Sequence, residues 1–380
     1  MSYRNIQGMR AIAALLVISC HSFQNLEPMR AHWARPFFLS LGPMGVDIFF
    51  VISGFIIYQV MQRSIASMDT AGRGRVVYAF AMKRIIRIYP LYWFVFGASC
   101  LWVAWAAPMT PPPERLPLLL ALVGNLPNYR VPVAWTLTFE VYFYAVAAVS
   151  LLLFARRAMV GLAIWFAIVG TAALLDLWSP WGKPLDFVFA PIVLEFLLGV
   201  AVAILVERGG HRFHAALLVG AVIWLSIGTW FMRPSEFALR VEHWGVQVAI
   251  SRTYGLHVIC WGIPAAVLIY EIIALEIAQR WIMPRMLQYL GNASFSIYLW
   301  HFAVFTAVAE IFARLGWVGV VSSTWLTAAM IAIALGIALL SYHFLEKPSL
   351  RLFGQWFLGR GVSSHSLETE AMRGSALYKS

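Results

Sequence analysis

Charge is what this 380-residue chain has least of. Asp, Glu, Lys and Arg make up 12% of it, where a soluble globular protein carries about 25%. With 61% of the residues hydrophobic, a water-soluble globule is excluded, and length says nothing about a number of soluble domains. Acidic residues are scarcer than basic ones, 17 against 28, for a formal net charge of +11. The basic residues fall between apolar stretches, not on one wet face. They read as topology determinants facing anionic lipid, and no nucleic-acid partner is expected. Cysteine is nearly absent. Cys20, Cys100 and Cys260 all lie inside apolar segments, which suits small buried thiols and indicates neither a disulfide framework nor a metal site. The first apolar stretch has no small-residue cleavage site, so it is expected to stay in the mature protein. No internal repeat is visible, which weighs against an inverted-repeat transporter.

What is there is a succession of apolar runs. About ten have the length of a membrane helix, at 8–25, 44–62, 88–107, 135–154, 159–177, 187–206, 214–231, 255–276, 293–314 and 319–343. The expected fold is therefore all-α, a polytopic membrane helical bundle of about 10 transmembrane helices. With the N-terminus inside and the spans alternating, about two thirds of the Lys and Arg fall on the inner side, which puts both termini in the cytoplasm. The outer segment 108–134 contains PMTPPPERLP and NLPNYRVP. Its prolines predict an irregular cap over the mouth of the bundle. A second outer segment, 232–254, long and mixed in charge, reads as a wet connector in preference to a lid. Residues 1–350 form one transmembrane domain. Residues 351–380 form a short cytoplasmic tail that ends in a polar stretch expected to be disordered.

Titratable groups inside such spans are costly unless something solvates or pairs with them. In GMRAIAALLVISCHSF, Arg10 and His21 sit at opposite ends of one helix, roughly 16 Å apart along its axis. Asp47, in GPMGVDIFFVISGF, and Glu140, in AWTLTFEVYFY, come from the outer starts of two further spans. His21, Asp47 and Glu140 are therefore expected to share one depth. An imidazole beside a carboxylate is a general base whose charged form the carboxylate stabilises. It can instead carry an acyl group itself. His21, Glu140 and Asp47 are the candidate catalytic residues.

Toward the inner side, AMKRIIRIYPLYWF places Arg84 and Arg87 three apart on one helix face, beside Lys83. Planar guanidinium groups suit phosphates. Arg10 at a similar depth completes a candidate anion site. A coenzyme A thioester carries phosphates at one end and its acyl group far along a flexible arm, so the arginines and His21 could serve the two ends of one donor. Ser294, Tyr298 and His301 in GNASFSIYLWHF are candidate acceptor-binding residues. Glu346 in YHFLEKP is a plausible partner for Arg84 or Arg87. Gly42, Gly45 and Gly54, with Ser53, offer small surfaces where helices, or a slender ligand, can approach closely.

Six pieces in order carry a resemblance. They are NIQGMRAIAALLVISCHSF, GPMGVDIFFVISGFII, RIIRIYPLYW, WTLTFEVYFY, NASFSIYLWHF and FLEKP, and together they span about residues 3–350. The chain resembles the acyltransferase 3 family of integral membrane O-acyltransferases, nearest to its exopolysaccharide-production members. The resemblance implies transfer of an acyl group, acetyl or succinyl, from acetyl-CoA or another acyl-CoA to a carbohydrate acceptor, free or lipid-linked, at the bacterial cytoplasmic membrane. It carries the essential histidine onto His21 with Arg10 before it, and the arginine pair onto Arg84 and Arg87. It also singles out Glu140. The extra esterase-like domain of some relatives is missing, so acceptor recognition would fall to the outer loops or to partners in polysaccharide biosynthesis. On the residues alone two other classes stay open, a glycolipid or polysaccharide transporter or flippase without covalent chemistry, and a structural subunit of a synthesis complex.

Overall fold

The computed structural model describes residues 3–25, 35–124, 128, 130–175, 187–209, 212–232 and 255–359. The connector at 233–254 and the polar end of the tail lie outside them. Among the described residues the chain is helical, and strands are limited to one isolated bridge, Val318 to Val321. Twelve helices matter here. They are α1 (Arg4–Asn25), α2 (Arg35–Ala66), α3 (Arg73–Ala106), α4 (Ala134–Phe154), α5 (Ala158–Leu174), α6 (Leu194–Glu207), α7 (Ala215–Phe231), α8 (Ile263–Ile277), α9 (Arg285–Asn292), α10 (Ser294–Arg314), α11 (Ser323–Ser341) and α12 (Lys347–Leu358).

Leaving aside the short α9 and α12, these helices fall one for one on the expected segments. Among the described residues seven stretches are long and apolar enough to cross a membrane, and one of them, Ala134–Leu174, is 41 residues long. It folds back on itself as α4 and α5, broken by a three-residue 3-10 turn at Ala155–Arg157 with Ala155 at φ 48°. α6 and α7 are shorter, 14 and 17 residues, or about 21 and 25 Å of helix.

Contacts between helix ends confirm the alternation. On one side, the Glu276 carboxylate accepts the N–H groups of Arg4 and Asn5 at 2.8 and 2.7 Å, capping the exposed donors that open α1. On that side too, Arg156 pairs with Asp69. On the other, Arg314 at the end of α10 donates to the Ala106 carbonyl at the end of α3 at 3.1 Å.

Three expectations change. α2 begins at Arg35 and carries Pro43 inside it, so Asp47 lies about 18 Å into the helix instead of at its start. α3 begins at Arg73, so Arg84 and Arg87 sit well inside a helix, not where a loop enters one. The proline-rich outer segment is not simply a cap. Its short helix Leu116–Leu120 tucks against the middle of α3, where Tyr89, Tyr92 and Trp93 donate to the carbonyls of Ala121, Leu119 and Leu120 at 2.8, 2.7 and 2.9 Å. Irregular backbone at that depth is tolerable because side chains satisfy it.

Candidate active site

α1, α2, α3, α4 and α10 converge on a cavity of about 100 Å³. Arg10 of α1 reaches it, and so do Lys83, Arg84 and Arg87 of α3. Glu140 of α4 is the acid in its wall, with Ser294 and Tyr298 supplied by α10. The RxxR spacing puts both guanidinium groups on one face, as helix geometry requires. Arg84 is 9% exposed and lies over the rings of Phe80 and Tyr144, at 5.8 and 5.6 Å from their centroids. Arg87 lies over Phe295 at 5.6 Å and donates to Glu346 at 3.2 Å. Of the two expected partners, Glu346 takes Arg87. Arg10 is held by Gln7 at 3.3 Å and is within electrostatic reach of Arg87, Glu346 and Glu140. Four cations facing one wall carboxylate leave the cavity positive, which selects an anion.

Glu140 is grouped with these arginines. It accepts from Tyr144, one turn along α4, and from Ser53 of α2 at 3.5 Å. Tyr144 and Ser53 were not among the candidates. The i, i+4 spacing of Glu140 and Tyr144 was the signal available for Tyr144. Ser294 is fully buried in the cavity wall, and its hydroxyl has no hydrogen-bond partner among the described residues.

Tyr298 closes the far end. Its hydroxyl bonds Thr136 at 2.8 Å and donates to the Val133 carbonyl at 3.2 Å. Beyond it comes His301, with ring centroids 5.8 Å apart, and then His21, stacked on His301 at 5.2 Å with 30° between planes. His301 is fully buried. Its Nδ1 faces the Ile297 carbonyl at 3.3 Å, and a carbonyl only accepts, so Nδ1 is the donor there and Nε2 is the other ring nitrogen. That Nε2 has no partner among the described residues. His21 is half-buried and also meets the edge of Phe302 at 5.4 Å. Neither histidine lines the cavity; Tyr298, which does, packs against His301.

Asp47 is the correction. The expected depth shared with His21 and Glu140 fails, because α2 starts earlier than the sequence suggests. Gly42 sits against Cys20 and Gly45 against Ala13 and Val17, so on this antiparallel pair Asp47 lies about 9 Å below His21. It is fully buried, 3.4 Å from His257 Nδ1 and close to Glu195. His257 and Glu195 come from distant segments whose meeting no spacing in the sequence announces. Among the described residues no group of His, Cys, Asp and Glu is arranged to hold a metal.

The chain matches the family model described as Acyltransferase domain over residues 3–343. It is 29% identical over 335 residues to the exopolysaccharide production protein ExoZ of Rhizobium meliloti, covering 82% of this chain and 90% of that one. It is 25% identical to the acyltransferase MdmB of Streptomyces mycarofaciens, covering 92% of each. It is also 25% identical to the putative peptidoglycan O-acetyltransferase YrhL of Bacillus subtilis, with 96% of this chain matched to 57% of that longer protein. No solved structure matches. The family match covers nearly the whole bundle, and every residue lining the cationic cavity except Leu350 lies inside it: the chain belongs to the acyltransferase 3 family and is a multi-pass membrane acyltransferase.

Proposed function

We propose that this protein transfers an acetyl- or succinyl-class group from an acyl-CoA to a hydroxyl of a surface or exported polysaccharide, at the bacterial inner membrane with both termini in the cytoplasm. The observation that carries the reading is the line of groups along the bundle axis. It runs from Arg10, Lys83, Arg84 and Arg87 through Glu140 to Tyr298, and then to the His301–His21 stack. A coenzyme A thioester is charged at one end and slender at the other. Its nucleotide stays outside the small cavity, its phosphates take the arginine and lysine donors, and its arm runs toward Tyr298. Relatives named for exopolysaccharide production and for peptidoglycan O-acetylation support a carbohydrate acceptor.

His21 is the residue proposed to act on the acyl group. As a general base it takes the acceptor hydroxyl proton while that oxygen attacks the thioester carbonyl, and the thiolate leaves with a proton. As a nucleophile it first takes the acyl group on a ring nitrogen while the thiolate leaves with a proton, and the acceptor hydroxyl then attacks that acyl group, gives up its proton and frees the ring. His301 replaces the expected carboxylate as its neighbour. Its ring, anchored by Nδ1 on the Ile297 carbonyl, holds the plane of His21 by stacking. Glu140 stays a candidate acid–base group at the cavity wall. Asp47, beside His257, is proposed to act only at a distance, through packing. The outer loops would admit the glycan, alone or with polysaccharide-biosynthesis partners.

The test is mass spectrometry of surface glycans from cells with and without the protein. A lost mass increment identifies the reaction and the acyl group together. His21→Ala should abolish that increment while the protein reaches the membrane at its normal level. Retained acylation in that variant would rule out this histidine.

A further inference from the structure

Glu346 is buried beside the cationic cavity without lining it. It closes a π-helical turn, Tyr342–Glu346, between α11 and α12, and is 1% exposed. Such turns insert a residue and re-aim the side chains that follow, and they recur at functional sites. Each carboxylate oxygen has a donor from a different helix. Oε1 takes Nη1 of Arg87 at 3.2 Å, and Oε2 takes the Ser296 hydroxyl at 2.6 Å. The face of Phe295 flanks the same guanidinium at 5.6 Å. Arg10 is within electrostatic reach of both Arg87 and Glu346.

We propose that Glu346 is a positioning residue for anion binding. With Ser296 it ties the end of α11 to α3 and α10, and it fixes Arg87 so that the remaining guanidinium donors face the cavity. The proposal rests on the donor reading above and adds a sign that charge alone gets wrong. If Glu346 were only a negative charge near the site, removing it would strengthen the hold on a polyanion. If it positions Arg87, removing it frees the guanidinium and lets the cations of the cluster push apart, so the polyanion binds more weakly despite the added net positive charge.

The experiment is titration of coenzyme A onto the full chain purified in detergent, with the thermal midpoint recorded for each variant. Glu346→Gln is expected to weaken binding about tenfold, and Ser296→Ala, which removes one bond and no charge, about two- to threefold. Unchanged or tighter binding in Glu346→Gln overturns the proposal. Should that variant not accumulate in the membrane, Ser296→Ala decides, and wild-type affinity in it overturns the proposal. If the wild-type chain does not bind coenzyme A, the donor reading falls. Phenylglyoxal labelling mapped by mass spectrometry then tests the positioning by itself. Faster modification of Arg87 in Ser296→Ala and Glu346→Gln than in wild type supports it, and equal rates overturn it.

Discussion

Tyr298 has its hydroxyl committed twice, to Thr136 and to the Val133 carbonyl. Thr136 also donates to Val133 at 3.0 Å, so it keeps a partner when the phenol oxygen is removed. Tyr298→Phe should therefore fold and lose about 0.5–1.5 kcal/mol of stability, read as a lower thermal midpoint in detergent. Tyr144→Phe removes the phenol donor from Glu140 and leaves only the 3.5 Å contact with Ser53. Acyl transfer is expected to fall several-fold, and further than in Ser53→Ala, because the stronger donor is the one removed. A rate equal to wild type would show that the Glu140 carboxylate needs no orientation. The candidates were legible residue by residue wherever chemistry and spacing coincide. Arg84 and Arg87 share a face because they are three apart, and Glu346 meets one of them. Asp47 was misplaced because its depth depended on where α2 begins: the expected span opened at residue 44, whereas α2 runs through Pro43 despite the penalty a proline brings to a helix interior. In a lipid-embedded bundle, packing against neighbours offsets that penalty.

Helices α2 and α6 meet through reciprocal backbone contacts. A Cβ on Gly54 would come 2.0 Å from the Phe196 carbonyl oxygen, and one on Gly199 would come 1.9 Å from that of Val51. Small residues at such crossings let dispersion act over a long seam in lipid, where no hydrophobic drive is available. Gly199→Leu should separate the seam. The expected loss is about 1–3 kcal/mol or more, seen as reduced membrane accumulation or a lower thermal midpoint, while Gly97→Leu, with open space around it, should be tolerated. Gly54 was readable as a small surface in its Gly- and Ser-containing stretch. Gly199 was not, since a lone glycine in an apolar run says nothing until its partner helix is known. The same limit hid the inward turn of Leu116–Leu120, whose prolines announce irregularity but not depth.

At the scale of the molecule, the end-to-end contacts divide the turns into two sets, one holding Arg156 and Arg208 and the other Met109 and Val320. Cysteines introduced at these exposed positions should sort accordingly under a membrane-impermeant thiol reagent. Met109→Cys and Val320→Cys should react from outside in intact cells, and Arg156→Cys and Arg208→Cys only after permeabilisation. The buried or half-buried Cys20, Cys100 and Cys260 serve as the background. The opposite pattern would invert the orientation and put the arginine cavity out of reach of a cytoplasmic donor. The order of the helices was legible because hydropathy and length suffice in lipid, while their number as full spans was not, since α6 and α7 fall short of the length that the seven candidate spans among the described residues reach. Which helices touch was not, because every face is apolar.

The phenol ring between the cavity and the histidine stack works like the inner door of an airlock. On the donor reading proposed above, that ring, with its two hydrogen bonds in place, would stand between a thioester in the cavity and the two histidines. An idle enzyme would then keep its donor apart from the acceptor, and turnover would wait until that door swings.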